Sequence, residues 1–200
     1  MEKKEEKSRM KRILTLTGLA LFFAAANVYA GAPDRVGRPE LGILGGGAFN
    51  DSSVDNAGYI QAAWDWGVTP YIALGIEGGW QEGSGSFDAE DIGSVSILGD
   101  IILRNPDWHD SLVPYFVLGL GVIGQYVTDE SGAAPTDNGN DVDDTGFGWK
   151  IGGGLDWFIN PNWVANFEVA WFGSDTSLPG SSAPGGVDYW TVGGGLKFVF

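Results

Sequence analysis

The sequence predicts an all-β fold: an eight-stranded antiparallel transmembrane up-and-down β-barrel. Three observations predict it. Apolar residues alternate with small or charged ones, aromatic residues recur near the ends of the alternating segments, and glycine is abundant, with 33 glycines and nine tryptophans in 200 residues. A period of two residues is typical of strands whose two faces have different surroundings.

The first 30 residues differ from the rest and are interpreted as a secretory signal peptide. A charged start precedes the apolar run 13–26, which is shorter than the roughly 20 residues that span a bilayer. Small residues precede the expected cleavage site between Ala30 and Gly31. Residues 31–39 are then a short periplasmic N-terminal segment, and residues 40–200 form the barrel domain.

Eight later segments are candidate strands, and each is long enough for a tilted membrane strand of about 9–11 residues. They cover residues 40–50, 57–67, 70–81, 92–103, 113–127, 145–158, 162–173 and 187–200. Tight turns follow the second and sixth segments, whereas long polar stretches follow the third, fifth and seventh. Short turns at one end and long loops at the other are typical of outer-membrane barrels.

Each segment has one bulky apolar face and one face of glycine, small residues and about one charge, so we expect the charged face to line the lumen. The charged residues expected there are Asp65, Glu77, Asp100, Lys150, Asp156, Glu168 and Lys197. Two interpretations remain open: a salt-bridge plug that fills the lumen, or a narrow hydrated path that favours cations. Strand adjacency predicts that Lys197 pairs with Glu168, or with Glu77 across the lumen.

Aromatic residues near the strand ends predict a girdle at each lipid–water interface. Its expected members are Trp64, Trp66, Tyr71, Trp80, Tyr126, Trp149, Trp157, Trp163, Trp171 and Trp190. The alternative is the aromatic core of a soluble β-domain. The charged face argues against that alternative, because it is mostly glycine and has few solvating residues.

Charge and composition exclude several classes of function. After residue 30 the chain has five basic and 23 acidic residues, a net charge of −18, which disfavours nucleic-acid binding. With no cysteine and a single histidine, the chain offers no thiol chemistry and no multi-histidine metal site, and we expect no cofactor and no metal. The acidic stretch 128–145 is interpreted as a solvated loop, with weak divalent-cation binding as the alternative.

The single histidine is the one feature that suggests catalysis. His109 and Ser111 lie close together, and some small barrels deacylate lipid A with a histidine, a serine and a carboxylate. This pair follows the fourth strand, however, at the end with short turns, which is the wrong side for outer-leaflet lipid. We therefore predict no catalytic residues.

The chain resembles the small OmpA-like outer-membrane β-barrel proteins of the porin-family type. The residues that carry the resemblance are the leader, the segment PYFVLGLGVIG from Pro114, the turn Asn160–Trp163 and the final strand TVGGGLKFVF. The resemblance implies an outer-membrane location and identifies Phe198 and Phe200 as an assembly signal.

The partners that follow from the resemblance are outer-membrane lipids, lipopolysaccharide and the outer-membrane assembly machinery, and we expect a monomer. The expected role is structural or in surface interaction. The alternatives are a narrow conduit for small solutes and, more weakly, a lipid A-modifying enzyme.

Overall fold

The computed structural model describes residues 34–50, 57–84, 91–128, 136–137, 140–141, 143–176 and 188–200. The barrel strands are β1 Pro39–Asn50, β2 Ala57–Gly67, β3 Ile72–Ser84, β4 Asp91–Arg104, β5 Leu112–Thr128, β8 Asp143–Phe158, β9 Trp163–Ser174 and β10 Tyr189–Val199. Two short strands, β6 Thr136–Asp137 and β7 Asn140–Asp141, pair only with each other. Among the described residues no helix is long and apolar enough to span a membrane.

The eight barrel strands form one closed antiparallel sheet, which confirms the predicted fold. Each strand pairs with its sequence neighbour in the barrel, and β1 closes the ring on β10 from Glu40 opposite Val199 to Asn50 opposite Tyr189. We call the end with the short β2–β3, β4–β5 and β8–β9 connections the turn side and the opposite end the loop side. Closure satisfies the backbone hydrogen bonds of every strand, as hydrocarbon surroundings require.

The burial pattern of the strands is that of a barrel in lipid. Large aliphatic side chains at mid-strand point outward and are highly exposed, among them Ile76 at 64%, Ile97 at 63% and Leu120 at 61%. Polar and charged side chains alternate with them and point into a buried interior. A continuous exposed apolar surface of this kind matches hydrocarbon and not water.

Inward-facing glycines allow the sheet to curl tightly. A Cβ atom on Gly195 would collide with the carbonyl oxygen of Ile43 on β1, and one on Gly193 would collide with the Tyr59 hydroxyl. At these positions the neighbouring backbone or ring occupies the space that a side chain needs.

We therefore expect Gly195→Ala to destabilise the barrel by about 1–3 kcal/mol, the usual cost of overpacking. Gly78→Ala is the matched control, because the nearest atom to its added Cβ would be Ser96 O at 3.9 Å. Urea unfolding in detergent micelles measures both. Equal stability of the two variants would contradict the steric role of Gly195.

The segment before β1 folds back against the turn side. Val36 forms an isolated bridge with Gly67, and the Gly37 amide donates to the Gly67 carbonyl at 2.8 Å. Gly37 has a φ of +71°, a conformation in which glycine is favoured. The turn at Gly37 directs Arg35 into the barrel, where it is 5% exposed.

Candidate functional site

The charged residues predicted to line the lumen all lie inside the barrel. None is more than 7% exposed, and each projects from the inward face of its strand. The set consists of Asp65, Glu77, Asp100, Lys150, Asp156, Glu168 and Lys197. The structure adds Arg35, Glu40 and Arg104 to them, so that among the described residues six acidic and four basic side chains share the interior.

Glu40 is the centre of a cluster on the turn side. Arg35 Nε donates to Glu40 Oε1 at 2.6 Å, and a second Arg35 nitrogen contacts Glu40 Oε2. Arg104 binds the same two carboxylate oxygens with hydrogen bonds of 2.9 and 3.0 Å. Two guanidinium groups thus compensate one fully buried carboxylate.

Asp156 joins the remaining charges to this cluster. It accepts a hydrogen bond from Arg35 at 2.7 Å and lies 3.4 Å from Lys197 Nζ. Lys197 also lies 3.6 Å from Asp65, which approaches Arg104 at 4.0 Å. The turn-side cluster contains three bases and three carboxylates and is therefore neutral as a whole.

The electrostatics of Arg35 keep it charged. Burial alone would lower the pKa of its guanidinium, but the carboxylates of Asp156 and Glu40 outweigh burial and raise the pKa. Its guanidinium carbon also lies 5.3 Å from the centre of the Phe158 ring. Arg35 is therefore held by charge, hydrogen bonds and an aromatic face together.

Lys150 is the centre of a second cluster, in the middle of the lumen. Its Nζ lies 2.6 Å from Glu77 and 2.9 Å from Glu168. Gln61 donates to Glu77 at 2.6 Å, and the Tyr115 hydroxyl donates to Glu168 at 2.8 Å. A single ammonium group therefore bridges two carboxylates, each of which has a further neutral donor.

Two residues extend the middle cluster. Asp100 lines the same small cavity as Glu77 and Lys150, which adds a third carboxyl group to this part of the lumen. Asn166 donates to the Tyr115 hydroxyl at 2.9 Å and to Asp156 at 2.7 Å. Asn166 thus connects the middle cluster to the turn-side cluster, and the two form one network.

The predicted pairing of Lys197 with Glu168 or Glu77 is wrong. The register of β9 and β10 places Lys197 opposite Val164 and places Glu168 opposite Gly193, four residues farther along. The Lys197 side chain lies over Gly42 of β1, where a Cβ atom would be 3.0 Å from its Cγ. It therefore reaches Asp65 and Asp156, while Glu77 and Glu168 both bind Lys150.

Toward the loop side the interior is neutral and tightly packed. The rings of Phe172 and Tyr189 stack with centroids 4.9 Å apart and an interplanar angle of 7°. Leu98 and Ile123 pack in the same buried group. Two interior cavities of about 20 and 10 Å³ lie in the middle cluster and in this layer, so each holds about one water molecule at most.

The predicted aromatic girdle divides into two groups on the outer surface. Trp80, Tyr126, Trp149, Trp171 and Trp190 lie toward the loop side, and Trp64, Trp66, Tyr71 and Trp163 lie toward the turn side. Neighbouring members touch: the Trp80 indole donates to the Tyr126 hydroxyl at 2.7 Å, and the rings of Trp149 and Trp171 meet edge to face at 4.4 Å. Aromatic residues at two levels of an apolar wall are typical of membrane interfaces.

Trp157 departs from the girdle prediction, because it is buried and only 8% exposed. The alternation that indicated an exposed position breaks at this strand end, where Asp156, Trp157 and Phe158 are all buried. Its register partner on β9 is Ala165, whose small side chain leaves space for a large neighbouring ring. Trp157 is therefore a packing residue and not an exposed interfacial one.

The remaining predicted residues lie away from the lumen. His109 is in the exposed β4–β5 connection, where its Nδ1 accepts the Ser111 amide hydrogen bond at 3.2 Å. Phe198 and Phe200 pack edge to face at 5.0 Å on the outer wall of the turn side. The cleavage site at Ala30 and Gly31 lies outside the described residues, as does most of the stretch 128–145. Within the described ranges no group of three potential ligands is arranged to hold a metal ion.

Three lumen charges were missed by sequence reasoning. Glu40 and Arg104 carried a usable signal: Glu40 begins the inward face of β1, and Arg104 continues the alternation that includes Asp100. Arg35 carried none, because it precedes the first strand and enters the lumen only through the turn at Gly37.

The closed sheet, the exposed apolar belt and the charged interior together define a small transmembrane β-barrel. No family model matches the chain, and no curated protein matches it either. Among solved structures it is similar to Neisserial surface protein A, with a TM-score of 0.60 and 13% identity over 82% of this chain and 96% of that one.

Two further solved structures with similarity to the chain are OprG and PagL. For the outer membrane protein OprG from Pseudomonas aeruginosa the TM-score is 0.48, with 16% identity over 85% of this chain and 98% of that one. For the outer membrane enzyme PagL it is 0.46, with 16% identity over 79% and 97%. The similarity to Neisserial surface protein A confirms, at the level of the fold, the predicted resemblance to small outer-membrane β-barrels.

Proposed function

We propose that this protein is an outer-membrane barrel whose lumen is closed by its charge network and whose role in the bacterial envelope is structural or in surface interaction. The observation that carries the proposal is the continuity of the network. Asn166 connects Asp156 on the turn side to Tyr115, which binds Glu168 in the middle cluster. The described interior cavities, of about 20 and 10 Å³, are too small for a continuous column of water.

The chemistry of the interior supports a closed lumen. Buried charges are stable only when they are paired and hydrogen bonded, and removal of one partner leaves the other uncompensated. Here every basic side chain in the lumen contacts at least one carboxylate. Because all eight barrel strands contribute a residue to the network, including Glu77 on β3 and Tyr115 on β5, it also holds opposite walls of the barrel together.

The surroundings of the barrel are part of the proposal. The apolar wall and its two aromatic levels suit outer-membrane lipids and lipopolysaccharide, with delivery by a cleaved signal peptide and insertion by the assembly machinery. In this proposal the protein is a monomer surrounded by lipid. Its loop side is then available for surface interaction.

A narrow cation path is the second candidate, and one observation favours it. The part of the interior that the structure describes contains six acidic and four basic side chains, so its charges are not balanced if all are ionised. An excess of carboxylates attracts cations and repels anions. A path of this kind would require the contacts of Lys150 with Glu77 and Glu168 to open.

Conductance of the native protein in planar lipid bilayers distinguishes the two candidates. For a closed lumen we expect no current steps above the bare membrane, since the network leaves no continuous water column. Insertion is verified on the same samples by a shift in gel mobility between unheated and boiled protein. Reproducible cation-selective steps would overturn the closed lumen and support the path.

A further inference from the structure

The segment 34–38 supplies a lumen charge from outside the barrel wall. Of the four lumen bases described, three project from strands, and Arg35 alone precedes β1. Apart from the contacts of Arg35, the segment is attached to the barrel by the bridge between Val36 and Gly67 and by the Arg38 side chain, which donates to the carbonyls of Val199 and Phe200. Withdrawal of this segment therefore breaks none of the strand-to-strand hydrogen bonds that close the barrel.

Arg35 occupies the turn-side mouth of the lumen. All three of its side-chain nitrogens are engaged, by Glu40 and Asp156. On its outer side a cavity of about 300 Å³ separates the segment from the β2–β3 and β4–β5 turns, and Pro70 and Asp107 line it with Arg35. Of the charges in the network, Arg35 and Arg104 are the two that line this outer cavity.

We propose that residues Asp34–Arg38 form a detachable stopper that closes the turn-side mouth of the lumen, with Arg35 as its charged plug. The proposal rests on the closed lumen proposed above. When the stopper withdraws, the turn-side cluster keeps three carboxylates but only Arg104 and Lys197 as bases. The open mouth then has a net charge of −1 and admits small cations in preference to anions. The loop side stays closed by the stacked rings of Phe172 and Tyr189.

Thiol labelling tests the stopper directly, because the protein has no cysteine of its own. Ala63→Cys places a single thiol on the wall of the 20 Å³ cavity, inward of the turn-side cluster. The protein is folded in detergent micelles and exposed to a small cationic methanethiosulfonate, and in parallel to an anionic one of similar size. Labelling is measured as a rate in four backgrounds: the otherwise native protein, Arg35→Gln, Gly67→Ala and Gly58→Ala.

Two of the backgrounds release the stopper by different routes. Arg35→Gln removes its charge. Gly67→Ala keeps every charge, but its Cβ would collide with the Arg35 carbonyl oxygen and prevent docking. A matched control leaves the stopper intact: Gly58→Ala lies on the same strand as Gly67, and nothing lies within 4 Å of its added Cβ.

We expect Arg35→Gln and Gly67→Ala to label at least about tenfold faster with the cationic reagent, since the rate scales with the fraction of open molecules. Gly58→Ala should label at the rate of the otherwise native protein, and labelling by the anionic reagent should accelerate less. Equal labelling rates in all four backgrounds would overturn the stopper. Rapid labelling of the introduced thiol in the otherwise native protein would overturn it as well. If Arg35→Gln does not fold, Gly67→Ala decides the test alone. Conductance of the native protein, measured separately, decides whether the closed lumen itself fails.

Discussion

Lys150→Met is expected to destabilise the barrel by about 3–5 kcal/mol, because it leaves buried carboxylates without their cation. Lys150 is the base that contacts both Glu77 and Glu168, and it is only 2% exposed. Methionine fills a similar volume, so the loss measures charge and hydrogen bonding more than packing. Reversible urea unfolding in detergent micelles gives the free energy.

Lys197→Met is the matched comparison within the same lumen. Its contacts with Asp156 and Asp65 are longer, 3.4 and 3.6 Å, and both acids also have an arginine nearby. We therefore expect a smaller loss than for Lys150→Met. A double-mutant cycle of Lys150→Met with Glu77→Gln should show strong coupling. Additive effects would mean that the two charges are hydrated separately, and this would favour the cation path.

Ile97→Lys is expected to cost about 2–4 kcal/mol in a lipid bilayer, the usual cost of a lysine at the middle of a barrel's lipid-facing wall. Ile97 is 63% exposed at the centre of β4. On a protein surrounded by water the same substitution of an exposed residue would be nearly neutral. Unfolding in phospholipid vesicles therefore tests whether this wall faces hydrocarbon.

Val68→Lys is the control for that substitution. Val68 is 49% exposed but lies in the β2–β3 connection, beyond the membrane-spanning strands. The cost of a charge on the lipid-facing wall falls to about 0–1 kcal/mol near the interface. A similar effect of Ile97→Lys and Val68→Lys would contradict the membrane-embedded position of the belt.

Alternation made most of the lumen predictable. Lys150, Glu77 and Asp100 were placed inside the barrel because a strand directs successive side chains to opposite faces, and that rule needs only the sequence. The same rule failed for Trp157, where the strand ends and the alternation of burial stops. Alternation also does not predict the position of Arg35, because a turn and not a strand directs this side chain into the lumen.

Pairing within the lumen depended on information that the sequence does not contain. The sequence placed Lys197 and Glu168 on neighbouring strands, but their register separates them by four residues along β9. Register and strand tilt set the height of each side chain in the barrel, and both arise when the sheet closes. Gly42 then decided the direction of the Lys197 side chain, because it leaves the wall open beside it.

The sequence by itself determined the architecture of this protein: eight strands, their order, an apolar outer wall and a charged inner one. These follow from local periodicity and from the rule that a membrane-spanning sheet closes. Only the tertiary structure decided which charges meet, that Lys150 bridges two carboxylates, and that Arg35 enters the lumen from outside the wall. The physical reason is that ion pairs depend on distances of a few ångströms between residues far apart in sequence, and those distances exist only once the barrel has closed.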